Sequence, residues 1–474
     1  MTESETPHSE RQKPLARSTK ALFGIGTVAN GIVNQSLTSL IMIYYNQVIG
    51  LPPATVGLAL MISLIADAFW DPAIGVWSDR TRSPLGRRHP FMYAAILPSG
   101  IAFFLVWSPP VGMGHDFLFF YLLITLMLVR LFVSLYEIPS TSLAPEMAPD
   151  YDERTNLFSY RYFFGVSGGI LMSILAFQIF LSEANGGIMN PSGFSAYGLV
   201  AGIIITASIG LSTIGTHSRI PRELTYEQST PGILSIPQDV FQSLKNPNFL
   251  AIMVSAMFSG MAAGLSGGLG MYFNIYFWEL KAEQISILIL AGVASAILGV
   301  FLAPFVSQRW GKKRAMLTLF SLSVFVSTVP MTLRLVGILP GNDWPLLIYV
   351  LAFDSFAAGT LSLMGMIIVT SMLSDVVEDN AARTGKRSEG LFFAANSILQ
   401  KSVTGVGTFV SGLLLQWVSF PEAATPGSVD DGILRLMASV YLPTTVVLCI
   451  LSIACLLFFK INKDQHQQNL RAIS

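Results

Sequence analysis

Long apolar runs recur along the whole chain, separated by shorter polar segments. A helix needs about 20 mostly apolar residues to cross a lipid bilayer. Twelve runs of this kind can be read, centred near residues 36, 62, 99, 130, 170, 206, 262, 294, 326, 359, 405 and 447. The sequence therefore predicts an all-α integral membrane protein with twelve transmembrane helices.

The composition also indicates that lipid surrounds much of the chain. Of the 474 residues, 52% are hydrophobic and only 12% are charged, whereas soluble domains carry about 25% charged residues. The net charge is zero, which argues against a nucleic-acid partner. The two cysteines share the last apolar run and the five histidines lie in polar segments, so we expect no disulfide, metal cluster or cofactor.

The placement of basic residues predicts how the chain is oriented. Most of the 28 lysines and arginines lie in the two tails and in the loops that follow even-numbered spans. Because cytoplasmic loops hold the excess of basic residues, we expect both termini to be cytoplasmic. The polar N-terminus lacks the apolar stretch of a secretion signal, so we expect a multi-pass protein of the cell membrane.

Two similar basic loops suggest that the chain consists of two related halves. The loop after the second span reads SDRTRSPLGRRHP and the loop after the eighth reads SQRWGKKRA. Any cytoplasmic helix–loop–helix turn could collect glycine and arginine, but the match favours two pseudo-symmetric six-helix halves with a binding site between them at mid-membrane. One chain would then suffice as a functional monomer. The predicted segments are a tail (1–20), the first half (21–216), a cytoplasmic linker (217–246), the second half (247–460) and a tail (461–474).

Two carboxylates lie one helical turn apart inside the second span. Asp67 and Asp71 are four residues apart and so share a helix face. An ionisable group at the bilayer centre costs about 2.5–3.5 kcal/mol, and two like charges also repel each other. The pair makes sense if a cation or a shared proton neutralises it, since hard cations prefer oxygen ligands. Alternatively, Asp71 lies near the cytoplasmic end and binds loop arginines.

The fourth and fifth spans carry further charged side chains. Arg130 and Glu137 lie in the fourth span and Arg161 opens the fifth; Ser134, one turn before Glu137, could offer a hydroxyl to a neighbouring site. A carboxylate and a guanidinium that face one cavity would suit vicinal hydroxyls, because one accepts and the other donates hydrogen bonds. Alternatively, Glu137 and Arg161 pair with each other and hold two helices together. Arg130 receives no role from the sequence.

The second half contributes two intramembrane charges. Lys401 in span eleven could act as a tethered countercharge to the paired aspartates, compete with the cation and couple its binding to helix movement. Asp354 in span ten has no evident role, and Arg334 is one candidate partner for it.

Four segments resemble one family of carriers. They are DAFWDPAIGVWSDRTRSPLGRRHPF in span two and its loop, YEIPSTSLAPEMAPDYDERTNLFSYR in spans four and five, SDVVEDNAARTGKRSEG before span eleven, and NSILQK within it. In order and at these spacings, they resemble the glycoside–pentoside–hexuronide:cation symporters, the melibiose permease group of the major facilitator superfamily. The resemblance covers nearly the whole chain and implies the major facilitator fold.

The resemblance also implies roles for individual residues. Asp67, Asp71 and Ser134 would bind the coupling cation, Na⁺ or H⁺, and the two aspartates would be the metal ligands if it is Na⁺. Glu137 replaces the family's sugar-binding aspartate, and Arg161 matches its sugar-binding arginine.

Span eleven takes part in the same resemblance. Lys401 matches the family's lysine near both the cation and the sugar. We expect Lys401, together with the amides of Asn396 and Asn34, to contribute to substrate binding.

Three positions depart from the family pattern. The acidic residue of span one corresponds to Gly31, the asparagine of the cation motif to Trp70, and the aromatic platform of span four to Thr141. Related carriers that move lysophospholipids keep the paired aspartates, the arginine and the lysine.

We therefore expect a symporter that couples inward cation movement to uptake of a sugar or glycoside by alternating access. The alternative is a cation-coupled carrier of a lysolipid or another amphipathic solute. Membrane lipid would be the other partner. The sequence shows no phosphate-binding glycine loop and no Ser/His/Asp set on one membrane face, so we do not expect an enzyme.

Overall fold

The computed structural model describes residues 15–148, 151–217, 246–384 and 389–459, without the side chains at 151–152, 377–378 and 380–394. The predicted tails and the linker lie mostly outside the described residues, as does part of the segment SDVVEDNAARTGKRSEG. Within the described part the chain is helical and contains no strand. The prediction of an all-α fold is confirmed.

Eleven of the described helices are long and apolar enough to cross a membrane. They are α4 (Pro53–Arg80), α5 (His89–Val106), α6 (His115–Met147), α7 (Tyr151–Leu175), α8 (Pro191–His217), α9 (Pro247–Tyr272), α10 (Ala282–Trp310), α11 (Lys312–Leu335), α12 (Leu347–Thr384), α13 (Glu389–Trp417) and α14 (Asp431–Leu457). They correspond in order to the second to twelfth predicted spans.

The first predicted span is helical but interrupted. It consists of α1 (Arg17–Ile25), α2 (Thr27–Ser39), α3 (Ile41–Ile43) and a π-helical turn (Tyr44–Val48). At the break between α1 and α2, a β-carbon on Gly26 would come within 1.7 Å of the Tyr136 hydroxyl. A glycine is needed here because the tyrosine ring passes directly against the backbone.

The ends of the first and seventh spans repeat one backbone arrangement. Each closes with a one-turn π-helix, Tyr44–Val48 or Phe273–Phe277, and each is followed by a long helix, α4 or α10. The same two backbone hydrogen bonds end both turns, at 2.8–3.0 Å. In the first turn, Ile49 N donates to Tyr44 O and Leu51 N donates to Tyr45 O. In the second, Trp278 N donates to Phe273 O and Leu280 N donates to Asn274 O. The first span of each half therefore ends in the same way, and a similar π-helical turn (Ala176–Phe180) also closes the fifth span.

The two basic loops repeat as well. Each contains a glycine at positive φ, Gly86 at 86° and Gly311 at 76°, a conformation that other residues rarely adopt. The basic residue two positions after the first glycine, Arg88, binds Glu146 at the end of α6 at 3.0 Å. In the second half, Lys312 binds Asp375 near the end of α12 at 2.7 Å. Each of these ion pairs joins helices of the same half.

The two halves meet most closely where α4 packs against α13. A β-carbon on Gly412 would lie 2.3 Å from the carbonyl oxygen of Pro53, and one on Gly57 would lie 3.0 Å from the Cα of Phe409. Small residues at such crossings let two backbones approach in a membrane, where packing rather than burial from water holds helices together. This α4–α13 seam leads from the start of α4 toward Asp71.

A buried polar network also joins the halves beside the first π-helical turn. Tyr272 donates a hydrogen bond to Asn46 Oδ1 at 2.6 Å. Tyr276 donates to Gln47 Oε1 at 3.2 Å, and the Gln47 amide donates to the Pro421 carbonyl at 3.1 Å. These hydrogen bonds hold the halves together at this end, which the basic-residue pattern predicts to be the outer face.

A substitution at Gly31 would test how α2 and α7 pack in the first half. A β-carbon there would lie 1.8 Å from the carbonyl oxygen of Gly165 on α7, so any side chain must push α2 and α7 apart. We predict that Gly31→Ala lowers the thermal unfolding temperature of the purified protein, since overpacking costs about 1–3 kcal/mol. Gly292→Ala is the matched control, because its β-carbon would meet nothing within 4 Å. Equal unfolding temperatures for the two variants would show that α2 and α7 do not pack as described.

Candidate functional site

Two carboxylates of the first half meet one ammonium group of the second. Lys401 on α13 donates hydrogen bonds to Asp67 Oδ2, at 2.8 Å, and to Asp71 Oδ2. The Asp67 side chain is only 7% exposed, whereas Asp71 is 19% and Lys401 30% exposed. Asp67 therefore lies on the inner side of the pair, while Asp71 and Lys401 face the more open side.

Ser134 on α6 completes this group of oxygen atoms. Its hydroxyl lies 3.2 Å from Asp67 Oδ1 and 2.6 Å from Asp71 Oδ1, so its one proton can be donated to either carboxylate. The two carboxylates thus hold the lysine head group through their Oδ2 atoms and share the serine hydroxyl through their Oδ1 atoms. Side-chain oxygens grouped in this way can receive a proton or a hard cation.

The loop arginines do not supply the partners of Asp71. In the loop after α4, Arg88 binds Asp79 at 3.1 Å and Glu146 at 3.0 Å. Asp71 hydrogen-bonds to Lys401 and Ser134 instead. The alternative in which Asp71 merely anchors the loop is therefore wrong.

A second positive charge reaches Asp67, and the sequence analysis did not assign it. Arg130 on α6 is buried, and its Nη1 lies 3.5 Å from Asp67 Oδ2. Its Nε donates a hydrogen bond to Ser63 Oγ at 3.2 Å. The signal that could have found it is the spacing to Ser134, four residues later, which places both side chains on one face of α6.

Arg161 on α7 organises a second polar cluster. Its guanidinium donates to Glu137 Oε1 at 2.6 Å, to Thr141 Oγ1 at 2.8 Å and to Ser140 Oγ at 2.8 Å. The guanidinium carbon also lies 5.0 Å from the centre of the Phe23 ring. Glu137 and Arg161 thus do pair, and the hydroxyls of Ser140 and Thr141 accept hydrogen bonds from two further N–H groups of the guanidinium. Glu137 Oε2 is buried and has no hydrogen-bond partner among the described residues.

A cavity of about 900 Å³ lies beside this cluster, between the two halves. One part of its wall is polar, and another part, which includes residues of α7 and of α10 in the second half, is mostly apolar. The polar wall consists of Thr27, Asn30, Asn34, Gln35, Thr38, Glu137, Thr141 and Arg161. The other includes Phe158, Tyr162, Val166, Ile170, Ile289 and Val293. The cavity can therefore hold a solute with distinct polar and apolar faces.

The candidate residues are distributed unevenly around the cavity. Asn34 lines it and donates a hydrogen bond to Asn30 Oδ1 at 2.6 Å. Asn396 is half-buried on α13, and neither it nor Lys401 is among the residues that line the cavity. Lys401 is placed at the paired aspartates instead.

The close packing of Gly31 explains one departure from the family pattern. Because α2 and α7 are nearly in backbone contact there, an acidic side chain would not fit at this position without moving α7. Amides of α2, including Asn34, face the cavity in its place.

Asp354 does not pair with Arg334. Arg334 donates hydrogen bonds to the Pro340 carbonyl and to Asn342 Oδ1. Asp354 Oδ1 is buried and lacks a hydrogen-bond partner within the described residues.

Known proteins resemble this chain over nearly its full length. An uncharacterized symporter of Synechocystis sp. is 26% identical, covering 86% of this chain and 87% of the relative. An isoprimeverose transporter of Lactiplantibacillus pentosus is 24% identical, covering 90% and 85%. A sphingosine-1-phosphate transporter of Mus musculus is 24% identical, covering 94% and 91%.

A solved transporter structure shares the fold of this chain. The crystal structure of a variant of the nucleoside transporter NupG superposes with a TM-score of 0.64 at 17% identity, covering 94% of this chain and 100% of that one. The family described as "MFS/sugar transport protein" matches residues 22–463. This chain is a multi-pass membrane protein of that family and belongs to the glycoside–pentoside–hexuronide:cation symporters of the major facilitator superfamily.

Proposed function

We propose that this protein is a symporter that couples inward movement of a cation, Na⁺ or H⁺, to uptake of a sugar or glycoside by alternating access. The observation that carries the proposal is the bridge from Lys401 of the second half to Asp67 and Asp71 of the first. The protein acts as a monomeric transporter rather than an enzyme, in the cell membrane, with both termini in the cytoplasm.

The bridge provides a physical link between cation binding and movement of the halves. Asp67 and Asp71 belong to α4, and Lys401 belongs to α13 on the other side of the seam. A cation bound by the carboxylates replaces the ammonium as their countercharge, so it weakens this contact between halves. A ligand shifts a conformational equilibrium only through its different affinities for the two states, and competition with Lys401 supplies that difference.

The Arg161 cluster suits a polyhydroxylated cargo. The guanidinium presents donors in a rigid fork, and the Glu137 carboxylate beside it lines the cavity and can accept hydrogen bonds. Hydroxyls and amides of α2 line the same cavity wall. A sugar can accept from the arginine and donate to the glutamate, while its ring packs against the apolar wall.

The apolar wall favours one alternative cargo. Phe158, Tyr162 and Val166 form a row along α7, and Tyr162 is 62% exposed. A lysolipid would place its head group at Arg161 and its chain along this row. The relative named as a sphingosine-1-phosphate transporter supports keeping this candidate.

Uptake into right-side-out vesicles tests both candidates. A panel of labelled glycosides and pentosides, plus one lysolipid, is measured with and without imposed sodium and proton gradients. Gradient-driven accumulation of a sugar supports the proposal. Accumulation of the lysolipid alone would replace it with the alternative.

Asp71→Asn separates coupling from binding. We predict that this variant loses gradient-driven accumulation, because the amide cannot supply the negative charge that a cation must neutralise. Exchange of labelled for unlabelled substrate across vesicles without a gradient should persist, since the Arg161 cluster is intact. Asp116→Asn, at an exposed carboxylate near the start of α6, is the matched control and should accumulate substrate as wild type does. Normal gradient-driven accumulation by Asp71→Asn would contradict the cation assignment.

Arg161→Met tests whether the second cluster is a substrate clamp or a helix contact. Removing one partner of a buried ion pair costs about 3–5 kcal/mol, so we predict a lower unfolding temperature because Glu137 is left unpaired. The double variant Arg161→Met/Glu137→Met should recover much of that stability but bind no substrate. If the double variant still exchanges substrate, the pair holds helices together and does not bind the cargo.

A further inference from the structure

We propose that Arg130 is a resident counterion for Asp67, which closes the paired-aspartate site to alkali metal ions in the wild-type protein. The inference rests on the proposed function, because it concerns which cation that site can take. It adds a specificity-determining residue that the sequence pattern did not assign.

The first argument is the position of the guanidinium. Arg130 is buried, and its Nη1 lies 3.5 Å from Asp67 Oδ2, the same oxygen that accepts from Lys401. The other oxygen of Asp67 lies 3.2 Å from the Ser134 hydroxyl. Asp67 Oδ2 therefore faces two positive charges, and Asp67 Oδ1 shares the single proton of Ser134 with Asp71.

The second argument is that the guanidinium is held in place and stays charged. Arg130 Nε donates to Ser63 Oγ, one turn before Asp67 on α4. An arginine side chain keeps its charge in proteins at any ordinary pH.

The third argument is that Arg130 moves with the carboxylates. Ser63, Asp67 and Asp71 lie on α4, and Arg130 and Ser134 lie on α6, all in the first half. Lys401 lies in the second half and separates from the carboxylates when the halves rock. Arg130 remains beside Asp67 in either arrangement as long as the first half moves as one body.

The net charge of the aspartate site shows what Arg130 does to cation binding. With Lys401 in contact, two carboxylates face two cationic side chains, and the group is neutral. When Lys401 withdraws, the remaining net charge is −1 and lies mainly on Asp71. A sodium ion bound between both aspartates would sit within a few ångströms of the guanidinium and would be repelled. The site can accept one exchangeable positive charge at Asp71, but it does not offer two free carboxylates to a metal.

Binding of radioactive ²²Na⁺ to the purified full-length protein in lipid nanodiscs tests this inference without knowledge of the cargo. We expect no saturable sodium binding by wild type or by Arg130→Lys, which keeps the charge. Arg130→Gln should bind sodium saturably, at a level about tenfold or more above the residual signal of wild type, because it removes a unit charge a few ångströms away. Arg130→Gln/Asp71→Asn should lose that binding, which locates it at the aspartates.

Saturable sodium binding by wild type, equal to that of Arg130→Gln, would overturn the inference. So would sodium-stimulated uptake by wild type in the vesicle assay, and that result needs no variant. If Arg130→Gln does not elute as a single folded species, Arg130→Met removes the same charge while keeping an apolar side chain. Failure of every sugar in the panel would refute the proposed cargo but would leave the sodium-binding result, and this inference, unchanged.

Discussion

A charged side chain inside a bilayer must be neutralised or hydrated, and this constraint organises the interior of the protein. An unpaired charge at the bilayer centre costs about 2.5–3.5 kcal/mol even on insertion scales. Asp67 meets Arg130 and Lys401, Asp71 meets Lys401, and Glu137 meets Arg161. The positively charged partners are of two kinds, those in the same half as the carboxylate and one in the other half. The contacts with Arg130 and Arg161 lie within the first half, whereas the contact with Lys401 joins α4 to α13 across the seam between the halves.

Close packing of small residues decides where these charges can meet. Glycines along the α4–α13 seam bring the two backbones together and carry Lys401 to the aspartates. The glycines between α2 and α7 restrict the cavity wall instead, because the close approach of these helices leaves no space for an acidic side chain at position 31. The cavity therefore has one acid, Glu137, among the residues that line it, and its remaining polar wall is built from amides and hydroxyls.

Sequence reasoning succeeded where one helix or one local pattern was enough. Helical periodicity places Asp67 and Asp71 on one face, and the structure points both at the same lysine. It failed for the break at Gly26, because an average over about 20 residues cannot register a single tyrosine packed against the backbone. It also left Arg130 without a partner: the spacing to Ser134 places both side chains on one face of α6, but the contact of Arg130 with Asp67 depends on how α4 and α6 cross.

The sequence by itself determined the membrane fold and its two-half plan. The hydropathy of a span and the side of the membrane on which a basic loop lies depend only on the local sequence and the surrounding lipid. Both can therefore be predicted without knowing which helices contact each other. Only the tertiary structure decided which charges pair, which residues line the cavity, and that Arg161 binds Ser140 and Thr141 as well as Glu137. Those contacts join residues far apart in the chain, as with Lys401 and Asp67, and their distances are set by how closely the helices pack.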